Sequence, residues 1–148
     1  MAAQSTAVLK MLQEMATKEV DLATEALAKA LKVLAEAKSK EDLLMSYKQD
    51  YLTGMNKTLG AGVSVDAYQN YQQFMNKLEQ AITGQLDTVK YAEGQVKVQK
   101  QLLQESQRKK LSYDVLLERA DKRALKIEQK RDQKMMDEYA SRITRTKQ

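Results

Sequence analysis

The sequence has no cysteine, no histidine, no proline and no tryptophan, and only five glycines and one phenylalanine among 148 residues. Without cysteine there is no disulfide framework and no thiolate chemistry. With histidine missing as well, the usual general base and the commonest metal ligand are both gone. No glycine loop has the spacing that cradles phosphate, since the Gly54-to-Gly62 stretch is not followed by a Lys-Ser/Thr pair. The carboxylates are scattered among lysines, the pattern of a solvated helix surface. The expectation is a non-enzyme that needs no cofactor and no metal. Seven tyrosines and one phenylalanine are too few for a compact, many-sided interior. No apolar run approaches the roughly 18 to 20 residues that cross a bilayer. Met1 to Glu14 lacks the continuous apolar core of a secretory signal. A soluble, cytoplasmic protein that reaches any membrane only through partners is expected.

What remains is rich in Ala, Leu, Lys, Gln and Glu, residues that lose little on entering a helix. Leu9, Gln13, Ala16, Val20, Ala23, Leu27, Ala30, Leu34, Ala37, Glu41 and Leu44 recur at alternating spacings of four and three. That rhythm is the requirement for a supercoiled seam. Small alanines alternate with Leu or Val along its middle and let a partner helix come close. The fold class that follows is all-α, a long antiparallel two-helix coiled-coil hairpin in one domain. Its first helix is expected over about residues 5–53.

Three of the five glycines fall at Gly54, Gly60 and Gly62. Glycine pays the most backbone entropy in a helix, so residues 54–65 are expected to form the reversal, with Ser64 or Asp66 capping the second helix. The second helix is expected over about residues 66–145. Its seam reads Ala67, Tyr71, Phe74, Leu78 and Ala81, then Val89, Ala92, Val96, Gln99 and Leu103, with one slip in the rhythm between Ala81 and Val89. A reversal centred near residue 60 would exhaust the first helix at about residue 119. The last 30 or so residues would then overhang by about 45 Å at 1.5 Å per residue.

The net charge of +5 lies in that overhang. From Arg119 to Gln148 there are ten Lys/Arg against five Asp/Glu, and the residues before it balance at fifteen of each. The overhang also carries Leu125, Ile127, Met135, Met136, Tyr139 and Ile143. It reads as an ordinary solvated helix, as a contact for nucleic acid or anionic membrane, or as a shaft held in a protein socket. Five interrupting acids and the lack of aromatics interleaved among the basic residues 119–134 weigh against nucleic acid, and so many wet apolar side chains favour the socket. Around the reversal sit Tyr47, Tyr51, Tyr68, Tyr71 and Phe74, with Met55 and Met75. They either plug the end of the seam or form a binding patch. Two seam positions per heptad cannot hide all of them, so some must face outward.

At these residues the sequence resembles a known family. Tyr71-Gln72-Gln73-Phe74 and Leu78-Glu79-Gln80-Ala81-Ile82, with Asp132-Gln133-Lys134-Met135-Met136-Asp137-Glu138-Tyr139-Ala140, are similar to the flagellar export protein FliJ family, as are Lys18-Glu19-Val20 and the Tyr47, Tyr51 pair. The likeness covers nearly the whole chain. The related coiled-coil protein of injectisome-type secretion is the nearest confusable relative, and a generic coiled-coil scaffold is the blander alternative. The resemblance implies a stalk of the bacterial flagellar type III export apparatus, at the inner membrane of the flagellar base. Its partners would be the hexameric export ATPase, the cytoplasmic linker of the membrane export gate, and flagellar substrate chaperones that it escorts. Carried over by position, the gate contact would be Lys40, Leu44, Tyr47, Tyr51, Phe74, Leu78, Ala81 and Gln85. Lys40 stands where glutamine is common and Gln85 where histidine is. The ATPase-ring contact would be Lys122, Arg123, Lys126, Lys130, Arg131, Met135, Met136 and Tyr139. Neither nucleic acid nor membrane insertion is implied.

Overall fold

A computed structural model describes residues 2–146, with side chains from Ser5 onward. It is an antiparallel hairpin of two helices packed against each other, α1 (Ala2–Ala61) and α2 (Val65–Thr146), with no strand among the described residues.

The turn is three residues long, and here the expectation is corrected. Residues 54–61 are helix, the turn is residues 62–64, and Gly62 takes the left-handed conformation at a φ of +89°. Gly62 sits just past the last helical residue, where a left-handed glycine lets the chain leave a helix without a Cβ clash. Its N–H donates to the Leu59 carbonyl at 3.3 Å. Ser64 then caps α2, its hydroxyl accepting from the Ala67 N–H at 3.2 Å. Gly54 and Gly60 do not break α1. Buried Met55 and half-buried Leu52 anchor that stretch against α2, and such packing outweighs about 1 kcal/mol per helical glycine.

The chain divides into two compact units, one of residues 23–103 and one of residues 2–22 with 104–146. In the first, α1 contributes Ala23, Leu27, Ala30, Leu34, Ala37, Glu41 and Leu44, each buried or half-buried as its spacing demands. From α2 come Tyr71, Met75, Leu78, Ile82, Gln85, Val89, Ala92, Val96, Gln99 and Leu103, again all buried or half-buried. Those numbers alternate four and three throughout. The slip expected between Ala81 and Val89 does not exist: Met75 and Ile82 hold the seam, while Phe74 and Ala81 lie exposed beside it. Met75, Leu78 and Ile82 form the core cluster, with Leu44, Leu52 and Tyr71 packed on it.

In the second unit Leu9, Gln13, Ala16 and Val20 face Ser106, Lys110, Tyr113, Leu117 and Ala120. Ala16 and Leu117 are buried, the Gln13 amide donates to the Asp114 carboxylate, and Lys109 pairs with Glu19 at 3.3 Å. Cross-helix pairs in both units, such as Ala37 with Gln85 and Gln13 with Asp114, are roughly symmetric about Gly62–Val63. Partners therefore lie several residues farther along α2 than a reversal centred on residue 60 would place them, because the turn itself sits later. Beyond Ala120 every described side chain is exposed. The overhang is real, and it amounts to about 40 Å of helix.

Candidate functional site

Lys40 and Tyr47 on α1, and Phe74 and Ala81 on α2, occupy matching flanking positions beside seam residues Leu44, Leu78 and Gln85. In an antiparallel pair such flanks meet on one side. Five of the eight residues suggested for a gate contact are exposed there: Lys40, Tyr47, Tyr51, Phe74 and Ala81. The other three are held inward. Leu78 is buried, and Leu44 is half-buried against the core cluster. Gln85 is half-buried, and its amide donates to the Ala37 carbonyl at 2.9 Å. The small side chain of Ala37 is what brings that carbonyl within reach.

The aromatics are ordered by one another. The Tyr51 ring stacks on Tyr71 with centroids 5.1 Å apart and meets Phe74 at 4.4 Å, tilted by 37°. Tyr47, Asp50, Tyr51, Phe74 and Leu78 line a shallow groove of about 430 Å³. Lys48 pairs with Glu79 at 3.7 Å across the helices, a largely exposed pair worth little by itself. Tyr71 was absent from the expected contact set. Its signal was its position opposite Tyr51 once the turn is centred on Gly62–Val63.

The arm beyond Ala120 has a different pattern. Continuing the α2 seam rhythm past Ala120 gives Ala124, Ile127, Arg131, Lys134, Glu138 and Ser141, so the apolar seam fades after Ile127. The arm's apolar stripe is instead Leu125, Met135, Met136, Tyr139 and Ile143, about 130° around the helix from that seam at 3.6 residues per turn. Met135, Met136 and Tyr139 are each about two-thirds exposed. Lys122, Arg123, Lys126 and Lys130 gather on the opposite face, and Arg131 lies between the two. Lys122 is paired one turn back to Glu118 at 3.3 Å, with both side chains largely in solvent. The eight residues suggested for a ring contact are thus all exposed, on two opposite faces of one helix. Where the α1 start peters out, Ser5, Ala7, Lys10, Ala120, Ala124 and Ile127 border a groove of about 650 Å³.

Residues 5–148 match the family described as flagellar FliJ protein. The flagellar FliJ protein of Escherichia coli K12 is 30% identical over 139 residues, covering 94% of this chain and 95% of that protein. The chain belongs to the FliJ family. The Salmonella typhi FliJ protein matches to the same extent, at 30% identity over 139 residues. A solved structure from Chlamydia trachomatis, described as "a putative YscO homolog", shares the fold with a TM-score of 0.50 at 18% identity, covering 96% of this chain and 92% of that one. As a FliJ-family protein the chain is a component of flagellar, type III protein export. Among the described residues no helix is long and apolar enough to cross a membrane, and no group of acidic side chains is arranged to hold a metal ion.

Proposed function

We propose that this FliJ-family chain is the stalk of the flagellar export ATPase, with its arm held in the central hole of the hexamer and its aromatic flank set against the cytoplasmic linker of the export gate. The observation that carries the proposal is the two-faced arm. The arm's basic residues, Lys122 to Lys130, and its apolar ones, mostly Met135 to Ile143, point to different sides of one helix and are all exposed, which suits a socket that surrounds the arm better than a partner that covers one side. Apolar surface left wet is unfavourable by about 25 cal/mol per Å², so insertion is a source of binding energy. A stiff helical pair biases the states of such a socket only by contacting them unequally.

The gate contact is centred on Tyr47, Tyr51 and Phe74, with Lys40 and Ala81 at its edge. Leu44, Leu78 and Gln85 support it from the seam. The ring contact uses Lys122, Arg123, Lys126, Lys130 and Arg131 with Met135, Met136 and Tyr139. Empty substrate chaperones are further partners, and the protein works on the cytoplasmic side of the inner membrane through these contacts. The test is purification with the cognate export ATPase. The chain raises both hydrolysis and hexamer formation, and an ATPase indifferent to it on both counts would overturn the proposal.

A further inference from the structure

Tyr51 is a ridge between two grooves in the unit of residues 23–103. On one side lies the groove shared with Tyr47 and Phe74. On the other is a second shallow groove, about 340 Å³, bordered by Gly54, Thr58, Val63 and Ala67, and Asp50 and Tyr51 line both. The second groove belongs to no contact described above.

Gly54 is the unusual member. It is helical, and a Cβ built there would meet nothing within 4 Å. Neither backbone conformation nor crowding within the chain therefore calls for glycine, which costs about 1 kcal/mol relative to alanine inside a helix. What the missing side chain does provide is an open floor between Tyr51 and Thr58. The Thr58 hydroxyl is turned back onto the Gly54 carbonyl at 3.0 Å, so it is satisfied locally and does not ask for water. Asp50, by contrast, has no cation paired with it among the described residues, and it is the one charged side chain on both groove walls.

From this arrangement we infer that the gate-linker contact crosses the Tyr51 ridge into the second groove, and that its occupant is an apolar stretch of that linker bearing a lysine or arginine that pairs with Asp50. The inference rests on the gate-contact proposal and extends it by a second pocket and a charge requirement. Continuity through Tyr51 argues for one occupant of both grooves. The lone carboxylate sets the sign of its charge, since an acidic segment would meet Asp50 unfavourably. Gly54 acts as a specificity-determining position by admitting the occupant's backbone or a bulky side chain.

The experiment measures binding of the recombinant cytoplasmic linker of the cognate export gate to the full chain, at low and at moderate salt. Gly54→Leu fills the groove while keeping a good helix former at an unobstructed position, and it is expected to weaken binding about tenfold with helicity unchanged. Asp50→Asn keeps shape and removes charge, and it is expected to weaken binding about two- to fivefold and to flatten the salt dependence. Gly84→Leu, at another open helical glycine, serves as the control and binds as the parent does. If Tyr47→Ala abolishes binding while Gly54→Leu and Asp50→Asn bind like the parent, the contact ends at the ridge and the inference is wrong. If the parent chain itself does not bind the linker, the gate contact fails first and the second groove falls with it.

Discussion

The Tyr51 and Tyr71 rings lie face to face, 4° from parallel with centroids 5.1 Å apart. Tyr71 is the half-buried partner, resting on the Met75, Leu78 and Ile82 cluster, while Tyr51 is more than a third exposed. The exposed ring is therefore held by an anchored one. Aromatic pairs of this kind contribute about 0.5–1.5 kcal/mol beyond the area they bury. Tyr71→Ala is expected to lower stability by about 2 kcal/mol in urea unfolding, and to weaken linker binding although Tyr71 itself is not among the most exposed rings. Tyr71→Phe keeps the ring and should remain within about 0.5 kcal/mol of the parent.

The corrected seam gives a sharp contrast between neighbours. Ile82 is 8% exposed in the core cluster, and Ala81 beside it faces solvent. Ile82→Ala should cost about 2–4 kcal/mol, the usual range for emptying a buried aliphatic site. Ala81→Glu should change stability by no more than about 0.5 kcal/mol. Chemical unfolding of both variants decides between the two rhythms, because a seam through Ala81 would reverse the order.

The fold was legible in the sequence wherever one spacing rule sufficed. Every seam position expected on α1 from Leu9 to Leu44 is buried or half-buried, because the four-and-three rhythm runs unbroken there, although Val8, Met15, Leu22, Val33 and Leu43 sit exposed beside it. On α2 the rule was ambiguous. Phe74 and Met75, like Ala81 and Ile82, are adjacent apolar residues, and only packing reveals which of each pair faces inward. Taking the aromatic forced a false slip farther along. The turn misled for a related reason: glycine content measures a helix's intrinsic cost, whereas the end of α1 is set by what Leu52 and Met55 gain against α2. The exposed aromatic flank was foreseeable, since five rings could not share so few seam positions. The ridge at Tyr51 and the opposite faces of the arm emerge only when register and helical phase are fixed.

Glycines at different backbone conformations should respond in opposite senses. Gly62 holds the left-handed turn conformation at a φ of +89°, which costs an L-residue about 1–2 kcal/mol. Gly62→Ala is therefore destabilising by roughly that amount. Gly84 is helical with open space where a Cβ would go, so Gly84→Ala should stabilise by about 1 kcal/mol. Thermal melts of the two variants should move in opposite directions from the parent.

The arm separates stability from function most cleanly. Met136 and Tyr139 are 70% and 66% exposed and contribute nothing to either helix seam, so Met136→Glu with Tyr139→Glu should leave the unfolding midpoint unchanged within about 0.5 kcal/mol. The same pair places two carboxylates on the apolar face and should abolish stimulation of the export ATPase at any salt concentration. Lys126→Glu with Lys130→Glu alters the opposite face, where attraction is electrostatic and screened over about 10 Å at 0.1 M salt. Its defect should be largest at low ionic strength and shrink as salt rises, because screening weakens the parent's advantage. Two faces failing with different salt signatures is what a surrounding socket requires. A partner lying along one side would leave one of the two pairs without effect.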